Sequence, residues 1–76
     1  MMTAKLDRWD GKDSLRVYRN KCLIEMLYVD RTFYGPEWCA NHGMKIVYDV
    51  TADNGETFDV WKSENLSCAI PRKGVD

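Results

Sequence analysis

The stretch Met44 to Trp61, Met-Lys-Ile-Val-Tyr-Asp-Val-Thr-Ala-Asp-Asn-Gly-Glu-Thr-Phe-Asp-Val-Trp, leaves its backbone little choice. Two alternating runs rich in β-branched and aromatic residues flank Asp53-Asn54-Gly55, the pattern of a β-hairpin. Its register follows from the faces. A loop of Asn54-Gly55 alone sets Val50 against Asp59 and Thr51 against Phe58, which mixes apolar and charged side chains. A loop of Asp53-Asn54-Gly55 sets Val50 against Phe58 and Tyr48 against Val60, with Ile46 and Ala52 on the same face. Side chains alternate with period two, so a one-residue slip inverts every one of them. The longer loop is expected, with Gly55 in the left-handed position of a bulged type I turn. The outer face then holds Val47 opposite Trp61, Thr51 opposite Thr57 and Asp49 opposite Asp59. Carboxylates directly across a pair repel. Either Lys62 neutralises them within the fold or they await a cation from a partner.

A chain of 76 residues makes one small domain, and such a domain buries only about 60% of its unfolded surface. Hydrophobic residues at 45% and aromatics at 12% are enough for a core, which excludes a disordered composition. The net charge of −1 gives no overall field that favours nucleic acid. The charge is unevenly placed, however. Lys5, Arg8, Lys12, Arg16, Arg19 and Lys21 outnumber Asp7, Asp10 and Asp13, whereas Lys62 stands alone against Asp49, Asp53, Glu56, Asp59 and Glu64. No apolar run is long enough for a membrane span, and the start of the chain lacks a signal-peptide core. The 3 cysteines are an odd number for a disulfide framework, so a reducing cytoplasm is expected.

Residues 1–12 read as a polar N-terminal tail, with Trp9 docked on the domain or the whole segment acting as a basic arm. The domain itself is expected over 13–70. Leu15 to Asp30 fits a helix capped by Asp13 or Ser14, or two strands joined through Asn20-Lys21. The strand reading explains both faces at once: Leu15 with Met26 and Val17 with Ile24 inside, Arg16 with Glu25 and Tyr18 with Leu23 outside. Arg31 to Gly43 is a long connection in which Gly35-Pro36 breaks regular structure. Glu37 to Asn41 suits one helical turn stopped by Gly43. Ser63-Glu64-Asn65-Leu66 reads as a single 3₁₀ turn with Ser63 as its cap and Leu66 inward. Ser67 to Ile70 is a short last strand ended by Pro71, and 71–76 form a C-terminal tail.

Tyr48-Asp-Val50, Asp53-Asn-Gly55, Phe58-Asp-Val60 and Ser63-Glu-Asn-Leu66, in that order, resemble the C-terminal half of a Src-homology-three-like barrel, the broad group that includes Tudor and KOW modules. The resemblance covers roughly Met44 to Ile70. It implies a mainly β, five-stranded small barrel with a 3₁₀ turn before its last strand, of a kind that binds proteins or nucleic acids and rarely catalyses. The first half departs from the pattern, since a tight Leu15–Asp30 hairpin replaces a long ligand-contacting loop. The polyproline-binding aromatics of the signalling members have no counterpart here, so that activity is not implied.

Chemistry-bearing constellations are few. Cys39-Ala-Asn-His42 has metal-ligand spacing and, with Cys22 and Cys68, supplies the ligands of a Cys₃His zinc site. Yet Cys22 and Cys68 are isolated on strands, whereas zinc sites usually show two close pairs. A Cys39–His42 nucleophile and base would need an orienting group and an oxyanion site, and neither is visible. No catalytic residues and no cofactor are expected. Arg16, Arg19 and Lys21 with Trp9 and Tyr18 combine charge and stacking as a nucleic-acid surface would. Phe33, Tyr34 and Trp38 in the long connection are aromatics in a segment that belongs on the surface, and interface cores are rich in aromatics. The expected function is non-enzymatic protein binding, by a small accessory or inhibitor protein of mobile-element or phage type, to a larger partner. Its expected surface joins Phe33, Tyr34 and Trp38 to Asp49, Glu56, Asp59 and Trp61. Nucleic-acid binding and a zinc-stapled adaptor are the alternatives.

Overall fold

Backbone φ angles of 54° and 76° at Asp10 and Gly11, and of 51° and 70° at Asn20 and Lys21, make the first two reversals of the chain. Two consecutive left-handed residues form the two-residue hairpin turn whose twist matches that of the flanking strands. The computed structural model describes residues 1–31 and 35–72. The element order is β1 (Met2–Trp9), β2 (Lys12–Arg19), β3 (Cys22–Tyr28), α1 (Gly35–Asn41), β4 (Lys45–Thr51), β5 (Thr57–Lys62) and β6 (Ser67–Pro71). The chain is mainly β, as expected, but the expected five-stranded barrel is replaced by two three-stranded antiparallel sheets, β1-β2-β3 and β4-β5-β6.

Residues 1–12 are not a tail. Met2 to Trp9 pair with Arg19 to Lys12 along their full length, so the domain includes them. Asp10-Gly11, a strong hairpin dipeptide, carried the signal. At the other end, Pro71 pairs with Phe58, and the Arg72 N–H donates to the Thr57 carbonyl at 2.8 Å. The fold therefore includes the first two residues of the expected C-terminal tail, and 73–76 lie outside the described residues.

The sheets face each other across one core of Ala4, Leu15, Val17, Leu27, Val29, Val50, Ala52, Phe58, Val60 and Ala69. At one lateral junction Ala4 bridges Ala52, and at the other Val29 bridges Ala69. Single bridges, not continuous ladders, join the sheets among the described residues.

The β4–β5 register matches the expected pairing of Tyr48 with Val60, Asp49 with Asp59, Val50 with Phe58 and Thr51 with Thr57. The Gly55 N–H donates to Ala52 at 3.0 Å, and Gly55 has a φ of 89°, which makes the bulged turn. Beyond Tyr48 the expectation fails: Val47 is an extra residue, and Ile46, not Val47, sits opposite Trp61. The bulge turns Ile46 outward, where it is exposed. The strand reading of Leu15–Asp30 is correct, and a bulge again shifts its register. Tyr18 pairs with Leu23, but Val17 pairs with Glu25 and Leu15 with Leu27, leaving Ile24 as the extra residue. Ile24 and Met26 therefore face out, and Glu25 faces in.

Gly35-Pro36 does not break structure; it opens α1, whose first turn tolerates a proline lacking its N–H. The helix stops at Gly43, with a φ of 75°, and the Met44 N–H closes back on the Cys39 carbonyl at 3.0 Å. At the β5–β6 turn Ser63 is the expected cap, its hydroxyl accepting the Leu66 N–H at 3.1 Å. The segment is a tight strand-to-strand reversal and not a 3₁₀ turn, and Leu66 points outward.

Candidate functional site

Alternation along β5 and β6 turns Trp61, Cys68 and Ile70 to the outer face of the second sheet. Trp38, Cys39 and Met44, from α1 and the residue that follows its stop, close over them in a second small core. Trp38 and Trp61 therefore serve packing. The rings of Trp38 and His42 stack at 3.8 Å, and His42 Nδ1 lies 2.8 Å from the Trp38 carbonyl oxygen. The Cys39 and Cys68 sulfurs lie 3.8 Å apart. Burial pushes both thiols up, Cys68 to about 12, where a thiol stays protonated at neutral pH. The zinc set Cys22, Cys39, His42 and Cys68 does not assemble. Cys22 is exposed at the start of β3, and no three metal-binding side chains group together among the described residues.

The acidic residues of the expected partner surface are engaged within the chain. Asp49 and Asp59 do face each other, but Arg72 donates to both, at 2.6 and 2.5 Å. The cation comes from neither Lys62 nor a partner. Glu56 accepts two bonds from Arg31, at 2.6 and 3.1 Å, and Arg31 also holds Asp13 at 2.8 Å. Hydrogen bonding from Arg31 keeps the Glu56 carboxyl below its ordinary value. One guanidinium thus ties the start of β2, the end of β3 and the β4–β5 turn. Lys62 instead pairs with Glu25 at 2.6 Å, and the Tyr48 hydroxyl donates to the same carboxylate. Glu25 is therefore not the partner of Arg16. Phe33 and Tyr34 lie outside the described residues.

Arg16, Tyr18, Arg19 and Lys21 belong to β2 and its turn into β3, while Trp9 ends β1 opposite Lys12. Arg16 is paired with Asp7 at 3.0 Å, and the Lys5 ammonium sits 5.9 Å above the Tyr18 ring. Arg19 and Lys21 are exposed at the turn.

Beside them lies a surface that the sequence reading placed partly inside the core. Leu23, Ile24, Met26 and Tyr28 are exposed by 51, 43, 53 and 43%. Between Ser14 and Arg16 of β2 and Met26 and Tyr28 of β3 runs an open groove of about 430 Å³. A signal was present in the residues: Cys22 to Tyr28 has Glu25 as its only charge, so β3 is apolar on both faces. A strand of that kind is normally covered on both faces. No protein-family model matches the chain, and no curated protein and no solved structure is significantly similar to it.

Proposed function

We propose that this chain is a non-enzymatic protein-binding module of the cytoplasm, an accessory or inhibitory protein whose larger partner covers the outer face of β2 and β3. One observation carries the reading. β3 is apolar on both faces, and only its inner face is covered by the described chain. Exposed contiguous apolar surface with a polar rim is the usual mark of a protein interface. Burial holds the Cys39 and Cys68 thiols under α1 in their protonated form, which argues against a cysteine nucleophile there.

Nucleic acid is the weaker candidate for this face. Lys5 already occupies the Tyr18 ring and Asp7 neutralises Arg16, so the two residues best suited to stacking and phosphate contact are engaged. Leu23, Ile24 and Met26 offer neither function. The test is capture from the native lysate, before and after nuclease, with the parent chain and with Met26→Asp. Proteins retained through nuclease and lost with Met26→Asp support the reading. Loss on nuclease treatment, or capture indifferent to the substitution, overturns it.

A further inference from the structure

Two thiols that the protein-binding reading leaves unused face each other under α1. Cys39, on α1, is fully buried, and Cys68, on the outer face of β6, is half-buried. Their sulfurs lie 3.8 Å apart, although the residues are 29 positions apart in the chain. A disulfide holds its sulfurs at about 2.05 Å, so the pair must close by less than about 2 Å, within the reach of small side-chain rotations. Trp38, Met44, Trp61 and Ile70 pack with the pair, and the Met44 N–H returns to the Cys39 carbonyl at 3.0 Å. The approach of the sulfurs is therefore set by the fold. A pocket of about 130 Å³, with Trp38, Met44, Leu66 and Cys68 in its wall, gives a small neutral molecule room beside Cys68. Cys22 does not compete. It begins β3, at the far end of that strand from the Val29–Ala69 bridge to β6, and strand rise puts it on the order of 20 Å away.

We propose that Cys39 and Cys68 form a reversible redox staple, closed to a disulfide by a small peroxide and reopened by a dithiol. The staple is independent of the protein-binding reading. Cys68, the more accessible thiol, reacts first. Its sulfur takes one peroxide oxygen, the O–O bond breaks, and water leaves with a sulfenic acid on Cys68. The Cys39 sulfur then displaces that hydroxyl and loses its proton, and a second water departs. In sum, two thiols and one peroxide give one disulfide and two waters, and the peroxide takes up the two electrons that the sulfurs lose. Burial, with the charge of Asp30 adding to it, keeps both thiols protonated, and the thiolate is the reactive form, so the first step is slow. The second is fast, because the partner sulfur already stands in place. Slow entry reserves the reaction for strong oxidant, and fast closure spares Cys68 the irreversible acids. Once closed, the staple ties α1 to β6, and the helix no longer lifts from the second sheet by itself.

The test uses the chain carrying Cys22→Ser, which removes the exposed thiol and with it any bridge between chains. The folded protein is treated with hydrogen peroxide, digested and mapped by mass spectrometry. The Cys39 and Cys68 peptides should be found joined, about 2 Da lighter than their sum, the two hydrogens lost. Dithiothreitol should separate them again. The His42, Gly43 and Met44 amides bond back to carbonyls of α1, and their hydrogen exchange should slow at least about tenfold in the oxidised form. Because oxidised and reduced forms are the same folded chain, no substitution in the core is needed. Oxygen accumulating on Cys68 while Cys39 remains a free thiol overturns the proposal, since the sulfurs then do not meet. So does a cross-link that forms only in urea, or none at all. A cross-link formed in the folded chain without slower exchange shows that the bond does not hold α1, and that result overturns the staple as well.

Discussion

The β4-β5-β6 sheet and the β1-β2-β3 sheet share one topology, yet their outer faces have different fates. On the second sheet Trp61, Cys68 and Ile70 lie beneath α1 and Met44, so the β5–β6 part of its outer face is covered while Ile46 and Val47 on β4 stay exposed. On the first, Leu23, Ile24, Met26 and Tyr28 are equally apolar and lie open. The same alternation produces both faces, and what differs is whether the chain supplies a cover. An apolar outer face beneath a helix is a core, whereas one beneath nothing in the described chain stays exposed.

Matched substitutions give the largest test of that difference. Met44→Asp puts a charge under α1 and should cost about 4 kcal/mol, enough to unfold most of a domain this size. Met26→Asp should change stability by no more than about 0.5 kcal/mol. Urea melts that give equal losses would show that the first sheet's face is also internal. Thiol chemistry sharpens the comparison next. Cys22 on the first sheet is exposed, while burial raises Cys39 and Cys68, the latter to about 12. Iodoacetamide at mildly alkaline pH should alkylate Cys22 about a hundredfold faster than either of the others. Peptide mapping by mass spectrometry reads the ratio, and equal rates would mean that α1 does not stay closed.

Smaller effects separate the two hairpin turns. Gly55→Ala should cost about 1 kcal/mol, and the loss is one of backbone conformation, since beyond its immediate chain neighbours no atom lies within 4 Å of an added Cβ. The Arg31 clamp comes next, because it is what ties the two sheets at the β4–β5 turn. Arg31→Met should lower stability at neutral pH by about 1 kcal/mol. The folded Glu56 carboxyl lies below its ordinary value, so its contribution is present above the unfolded pKa and lost as pH falls through the folded one. The gap between parent and Arg31→Met should therefore close on acidification below about pH 4, the ordinary glutamate range. A gap constant with pH would mean that packing, not the ion pair, carries it. Smallest is Lys21→Gly, which relieves a left-handed lysine at φ 70° and should gain about 0.5 kcal/mol in the same melts.

The candidate site shows how far residue patterns reach. Tyr18 opposite Leu23 was readable from the strand alternatives, but Ile24 and Met26 were expected inside. One extra residue at Ile24 reverses them, and it lets Glu25 meet Tyr48 and Lys62, which belong to the other sheet. Asp49 opposite Asp59 was readable as a broken rule, whereas Arg72, which resolves it, is 13 residues away from the nearer aspartate. Trp38 and Trp61 were expected on a partner surface, whereas the fold packs both against one small core.

By itself, the sequence determined the Tyr48–Val60 hairpin, its three-residue turn and its aspartate pair, because face alternation and turn chemistry act between near neighbours. Tertiary structure decided the rest. β1, with little apolar signal of its own, is a strand because β2 offers it a ladder. The two bulges and the ionic clamps depend on groups that only the packed sheets bring together. Which outer face became core was settled by where α1 could close, a contact between segments whose local patterns are alike.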